Sequence, residues 1–299
     1  MFNRLYSKKA LFTVLMAVLL GINFCTLVLA YPETFRLDGG GRLAKDFSAY
    51  YIGAWRLIHN PSQVYTSGLV NDGEPLIYPQ PQDYKYLPSF LLLVSPLLSL
   101  RYHDALVAFD AFQFALLPLM AFLLYSLLCK KSVAITLAVA VIVFIPFPLP
   151  HWGPIATYFW QWAEGQGKVF ETFLFLLAFY LGNRNKPHLS GIAFGLAAFD
   201  PRFGLLSLPL FLLYNRSNLR VAVGTGVGAL LLSNFWLFYP ATGAGFINMI
   251  FATGVKTTLY AYAYIPLFTL LSLIAVNGRE IAEVFSHFIR EILRPELIE

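Results

Sequence analysis

The chain has 299 residues, 58% of them hydrophobic and 17% aromatic but only 12% charged, with a formal net charge of +5 and a mean hydropathy of +0.64. A soluble domain carries about 25% charged residues, so this surface cannot be covered by charge and lipid has to be the missing solvent. The basic residues are scattered at the ends of apolar runs, which argues against nucleic-acid binding, and two cysteines in or beside apolar runs, Cys25 and Cys129, exclude a disulfide framework or a zinc site.

The apolar runs are long and continuous, which selects an all-α integral membrane protein over a barrel of short alternating strands. The first run, 10–30, follows Arg4, Lys8 and Lys9. It is longer than a signal-peptide core and is expected to stay as an anchor with a cytoplasmic N-terminus. Residues 31–86 then form a long external loop. Within it, "DFSAYYIGAWRLI" reads as an interfacial helix with Asp46 as its N-cap and Phe47, Tyr50, Tyr51, Trp55 and Ile58 on an apolar face. Further spans are expected at 87–100, 105–128, 132–150, 168–182, 189–214, 220–240 and 263–277. Residues 151–168 form a second loop, and 241–262 form a third, glycine-rich and then aromatic. The apolar spacing of Ile281, Val284, Phe285, Phe288, Ile289 and Ile292 predicts an amphipathic tail helix over 279–299 on the cytoplasmic face, after a membrane domain over 1–278.

Topology raises two difficulties. The basic pairs Lys130-Lys131, Arg184/Lys186 and Arg216/Arg220 all favour the cytoplasm. Only one apolar stretch, 189–214, separates the last two, and Asp200-Pro201-Arg202 interrupts it. It is therefore expected as two short helices of about 11 residues, each near 17 Å and too short for a 30 Å core, forming a re-entrant pair or a pair dipping toward a cavity. The run 87–100 is short and contains proline, and whether it crosses is left open.

The segments "DFSAYYIGAWRLIHNPSQVY", "YKYLPSFLLLVSPLLSL" and "EGQGKVFETFLFLLAFYLGNRNKPHLSGIAFGLAAFDPRFGLLSLPLFLLYNR" together resemble the polyprenyl-phosphate-mannose-dependent mannosyltransferases of glycosyltransferase family 87, in the GT-C superfamily. The resemblance covers roughly residues 40–215. It implies a multi-span helical bundle of GT-C type with a long first external loop. It also implies transfer of a sugar, with mannose expected, from a polyprenyl-phosphate donor to a hydroxyl of a lipid or glycan acceptor at the outer face of the plasma membrane. By that resemblance Asp46 is the base of an inverting transfer. The sequence has no Asp-x-Asp pair, no His-x-x-x-His and no Cys pair, and Lys or Arg can meet a lipid monophosphate, so no cofactor or metal is expected.

A lipid phosphate leaving group needs cations near the membrane surface. Lys85 in "DYKYLP" and Arg202 in "DPRF" are the candidates, beside the plainer readings of a snorkelling lysine and an Asp200–Arg202 ion pair. Gln166 matches the glutamine of the family's Gly-Gln element and would meet a sugar or the acceptor, or else satisfy a loop backbone. Glu164, Tyr50 and Tyr51 complete the candidate substrate-binding set, and His151 reads as interfacial. Two positions depart from the family pattern: Lys168 replaces an asparagine, and Asp200 stands before the proline where the family has lysine. Asp110 and Gln113 read as a packing pair. Rival readings are a catalytically silent partner subunit and a lipid or small-solute transporter with a broken helix.

Overall fold

A computed structural model describes residues 2–34, 44–66, 83–144, 161–253 and 265–292. Among the described residues all regular structure is helical. The long helices are α1 (Phe2–Thr34), α4 (Tyr102–Leu128) and α11 (Ile265–Ile292). Each contains a stretch long and apolar enough to cross a membrane, as a multi-pass membrane protein requires. Shorter helices complete the bundle: α2 (Lys45–His59), α3 (Ser89–Val94), α5 (Val133–Phe144), α6 (Lys168–Asn183), α7 (Pro187–Ala197), α8 (Pro201–Tyr214), α9 (Leu219–Ser233) and α10 (Pro240–Thr253).

The basic loops gather at one end. Lys8 is buried and its ammonium donates to the carbonyls of Leu128 (3.2 Å), Cys129 (3.0 Å) and Lys131 (2.7 Å), capping the C-terminus of α4. Lys131 in turn pairs with Glu280 at 3.0 Å, and Tyr214 hydrogen-bonds Asn277. Asn185 and Asn218 join the loops that carry Arg184 and Arg216 at 2.8 Å. At the opposite end Tyr31 meets His103, the Tyr102 hydroxyl donates to Ala44 O at 3.2 Å, and Thr242 donates to Pro61 O at 2.9 Å.

Both topological difficulties resolve in these contacts. The run 87–100 is too short to span a 30 Å core. It folds as α3 and a 3-10 turn over Ser95–Ser99, eleven residues in all and about 20 Å at most, and stays at the far end. There Asn234 accepts the Ser89 N–H at 2.9 Å, and Leu100 O accepts the Tyr51 hydroxyl at 2.7 Å. One crossing by α4 then returns Lys130-Lys131 to the end that holds Lys8. The stretch 189–214 is two helices, α7 and α8, that leave from and return to the basic end. They meet at Asp200, whose side chain caps α8 by accepting the Arg202 N–H at 3.2 Å.

Three other expected boundaries shift. The run 220–240 stops being α-helical at Ser233, because the Asn234 amide turns back onto Leu230 O at 2.8 Å. The glycine-rich 241–262 holds a helix, α10, up to Thr253. The segment from 279 continues the helix begun at Ile265 without a break to Ile292. Residues 145–150 of the expected 132–150 span, His151, and the loop stretches 35–43 and 67–82 lie outside the described residues.

Packing of the hairpin rests on small residues. A Cβ at Gly191 would stand 2.3 Å from Ala222 O and 2.9 Å from Gly226 N, and one at Gly195 would stand 2.3 Å from Gly226 O. The backbones of α7 and α9 therefore touch along a small-xxx-small seam, which lets dispersion act between them where lipid supplies no hydrophobic drive. The core has two parts. A larger apolar cluster fills the bundle between α1, α4, α5, α6, α8 and α11. A second, aromatic cluster lies under the far end and joins Phe47, Tyr50, Tyr84, Phe90, Phe109 and Phe199.

Candidate active site

The far end is assembled around α2. Its first turn holds Asp46, two residues past the cap, and the cap position belongs to Ala44. The expected capping by Asp46 is thus corrected. Its cause is the 161–168 loop: Glu164 O accepts both the Asp46 and Phe47 N–H groups at 3.1 Å, taking the donors a cap side chain would have satisfied. Ala44 adopts a left-handed conformation (φ 36°, ψ 60°), sparsely populated for a residue with a Cβ, just before the candidate base. Asp46 itself is half-buried, and its place in the first turn favours the carboxylate.

The loop can approach because of two glycines in "EGQGK". Gly165 has φ +62° and a Cβ there would stand 2.7 Å from Phe47 Cβ; one at Gly167 would stand 2.4 Å from Phe90 Cζ. Gln166 between them is buried, with its N–H donating to Gln161 O at 3.0 Å and its carbonyl accepting from the Gln161 amide. Asp110 and Gln113 are buried on α4 below this loop, and Gln113 faces the Gln161 amide at 3.5 Å.

The loop ends on Lys168, only 2% exposed, whose ammonium bonds Glu171 Oε2 at 3.1 Å and Asp200 Oδ2 at 2.9 Å. Asp200 also receives Arg202 through Nε on Oδ1 (2.8 Å) and Nη2 on Oδ2 (2.7 Å). The two positions that depart from the family pattern, Lys168 and Asp200, thus meet in one buried ion pair. The Arg202 side chain remains 43% exposed.

Tyr86 connects the two halves. Its ring lies 4.9 Å from the Lys168 ammonium and 6.1 Å from the Phe199 ring, and the backbone beside it is tied to the α7–α8 break by Leu87 N–H to Phe199 O at 2.9 Å. Burial pushes its hydroxyl up to about 12; Lys168 and Arg202 pull the other way, while Asp46 and Asp200 add to the rise. Burial also raises Tyr50 well above the ordinary value, helped by Tyr86 and Asp46, and the Tyr50 hydroxyl meets both Tyr86 and the Gly167 backbone. One aromatic residue therefore feels the charges of Asp46, Lys168, Asp200 and Arg202.

Of the sequence-derived candidates, Asp46, Tyr50, Glu164, Gln166 and Arg202 converge on this end. Glu164 contributes a backbone carbonyl to the assembly. Tyr51 faces away, donating to Leu100 O and lying 5.5 Å ring-to-ring from Tyr102. Lys85 is exposed, standing between buried Tyr84 and half-buried Tyr86 in a stretch without regular structure. The cation inside the cluster is Lys168 instead. Tyr86 and Glu171 were missed by sequence reading. An acid and a lysine three apart at the start of an otherwise apolar helix was the available signal for Lys168 and Glu171.

A model of glycosyltransferase family 87 matches residues 84–279, about two thirds of the chain. The match includes Lys85, Glu164, Gln166, Lys168, Asp200 and Arg202, and begins after Asp46, Tyr50 and Tyr51. No curated protein and no solved structure matches the chain.

Proposed function

We propose that the chain, which belongs to glycosyltransferase family 87 and is a membrane glycosyltransferase, takes its sugar, mannose, from a polyprenyl-phosphate carrier and transfers it to an acceptor hydroxyl at the outer membrane face. The observation that carries this reading is the convergence of two charged centres on one end of the bundle. Asp46 sits on a helix start fixed by Glu164 O, and Arg202 sits on a carboxylate fixed inside the fold, with the Tyr86 ring against both Tyr50 of that helix (5.8 Å) and the Lys168 ammonium (4.9 Å).

In the step itself the acceptor oxygen attacks the anomeric carbon while its proton passes to the Asp46 carboxylate. The bond from the anomeric carbon to the phosphate oxygen breaks, and its electron pair leaves on the lipid phosphate. Inversion follows from the single displacement. One base suffices, since the phosphate leaves as an anion and needs charge stabilisation, not a proton. Arg202 is the cation that receives it, and its planar fork suits a phosphate. The Gln166 loop lies against the sugar side. Gathering of the basic loops at the other end supports an outward-facing site. From Lys168 to Asn183, α6 runs about 24 Å, a length that suits a charged cluster near the outer boundary of a 30 Å core, where a lipid phosphate resides.

The test is transfer of labelled mannose from a polyprenyl-phosphate donor by purified protein in lipid nanodiscs, with membrane lipid extract as acceptor. Asp46→Asn is expected to lower the rate by about 10²–10⁴ with donor binding kept. Unchanged transfer removes Asp46 from the mechanism. No transfer by the wild type from mannosyl, glucosyl or arabinosyl carriers refutes the catalytic reading and favours a silent partner subunit.

A further inference from the structure

We propose that Lys168 is a positioning residue that sets the distance between the base and the phosphate-binding cation, acting through Asp200 on Arg202. The inference rests on the reading in which Arg202 receives the lipid phosphate. Lys168 cannot reach a ligand itself. It is 2% exposed, its ammonium is bonded to Glu171 and Asp200, and the rings of Tyr86 (4.9 Å) and Phe203 (4.6 Å) wall it in. Its effect is on Asp200. That carboxylate is buried, and holds Lys168 on Oδ2 while accepting Arg202 from both Nε and Nη2 and from the backbone N–H. A carboxylate tethered only to a half-exposed arginine would move with it. Tethered to a buried lysine as well, it becomes a fixed mount, and the guanidinium is aimed by it.

The same short stretch also fixes the base. Glu164 O closes the start of the helix that carries Asp46, and four residues later Lys168 closes the ion pair that carries Arg202. Gly165 and Gly167 permit the close approach of the backbone between them to Phe47 and Phe90. Residues 164–168 therefore act as a spacer between the proton acceptor and the leaving-group cation. In-line displacement demands that such a separation hold to a fraction of an ångström.

Farnesyl phosphate and farnesol, compared in one binding assay on nanodisc-embedded protein, test this. The wild type is expected to prefer the phosphate. Lys168→Met leaves Glu171 buried without its cation and can lower folding yield, so the decisive variant is Lys168→Met/Glu171→Leu, which removes both charges. It is expected to melt close to the wild type while binding farnesyl phosphate about tenfold more weakly, a loss of about 1.4 kcal/mol, with farnesol affinity unchanged. A double variant that regains both stability and wild-type phosphate affinity overturns the positioning role and leaves Lys168 a packing residue. A wild type with no preference for phosphate over farnesol refutes the phosphate role of Arg202, and with it this inference.

Discussion

The α7–α9 seam gives a comparison in which one substitution has opposite signs on a single helix pair. At Gly191 a new methyl would stand 2.3 Å from Ala222 O, a backbone atom that can yield only if the helices separate. Restoring an ordinary contact of about 3.3 Å needs roughly 1 Å of separation, and overpacking of this kind costs about 1–3 kcal/mol. Alanine returns up to about 1 kcal/mol of helix propensity, so Gly191→Ala is expected to destabilise by about 0–2 kcal/mol net. Gly224, on α9, has nothing within 4 Å of its added Cβ. There the same change should be neutral or stabilising by up to about 1 kcal/mol. The propensity gain is common to both, so unfolding free energies from detergent titration of the two variants should differ by the overpacking cost, about 1–3 kcal/mol. Gly191→Ala/Gly195→Ala should cost less than the sum of its parts, because one displacement relieves both contacts. Equal stability of Gly191→Ala and Gly224→Ala would show that the backbones do not meet there, and the placement of the Asp200 turn would fall with it.

Lys8→Met removes a charged cap from three carbonyls at the end of α4 and is expected to cost about 2 kcal/mol in the same titration; Lys9→Met, at a position with an exposed side chain, should cost little. Alkaline pH should weaken the far end of the molecule. Tyr86, with its hydroxyl raised to about 12 from an ordinary 10.0, stays protonated when folded while the unfolded chain releases its proton, so stability is whole below pH 10, declines through pH 12 and then levels off. Tyr86 alone accounts for about 3 kcal/mol of that decline, and Tyr50 and Tyr84 shift in the same direction. Ultraviolet titration of tyrosinate beside melting curves checks this, and complete ionisation near pH 10 without loss of structure would contradict it.

Legibility of the site in the sequence follows the range of the interactions involved. Asp46 was visible because a lone acid before an aromatic amphipathic stretch is a local pattern. Its cap role was misassigned, since the group that caps the helix is Glu164 O, more than a hundred residues away. Arg202 was visible through the proline break beside it. Lys85 stands out in the sequence because it lies at the edge of an apolar run, while Lys168 stands out only as a departure from the family's asparagine. Burial decides between them, and burial depends on Tyr86, Phe203 and Asp200 arriving from other segments. Tyr86 carried no distinguishing pattern.

The sequence alone determined the helical class, the membrane setting and the two-piece nature of 189–214, because the apolar composition, the run lengths and a proline's missing donor act within one segment and leave few solutions. Tertiary structure alone decided that 87–100 folds as two short helical pieces at the far end, that Lys8 ties α1 to the end of α4, and that the two departures from the family pattern form a single buried ion pair. Those outcomes depend on which polar groups find partners across the bundle. An unpartnered charge in an apolar interior is too costly to persist, so Lys168 and Asp200, 32 residues apart in the chain, are held at 2.9 Å.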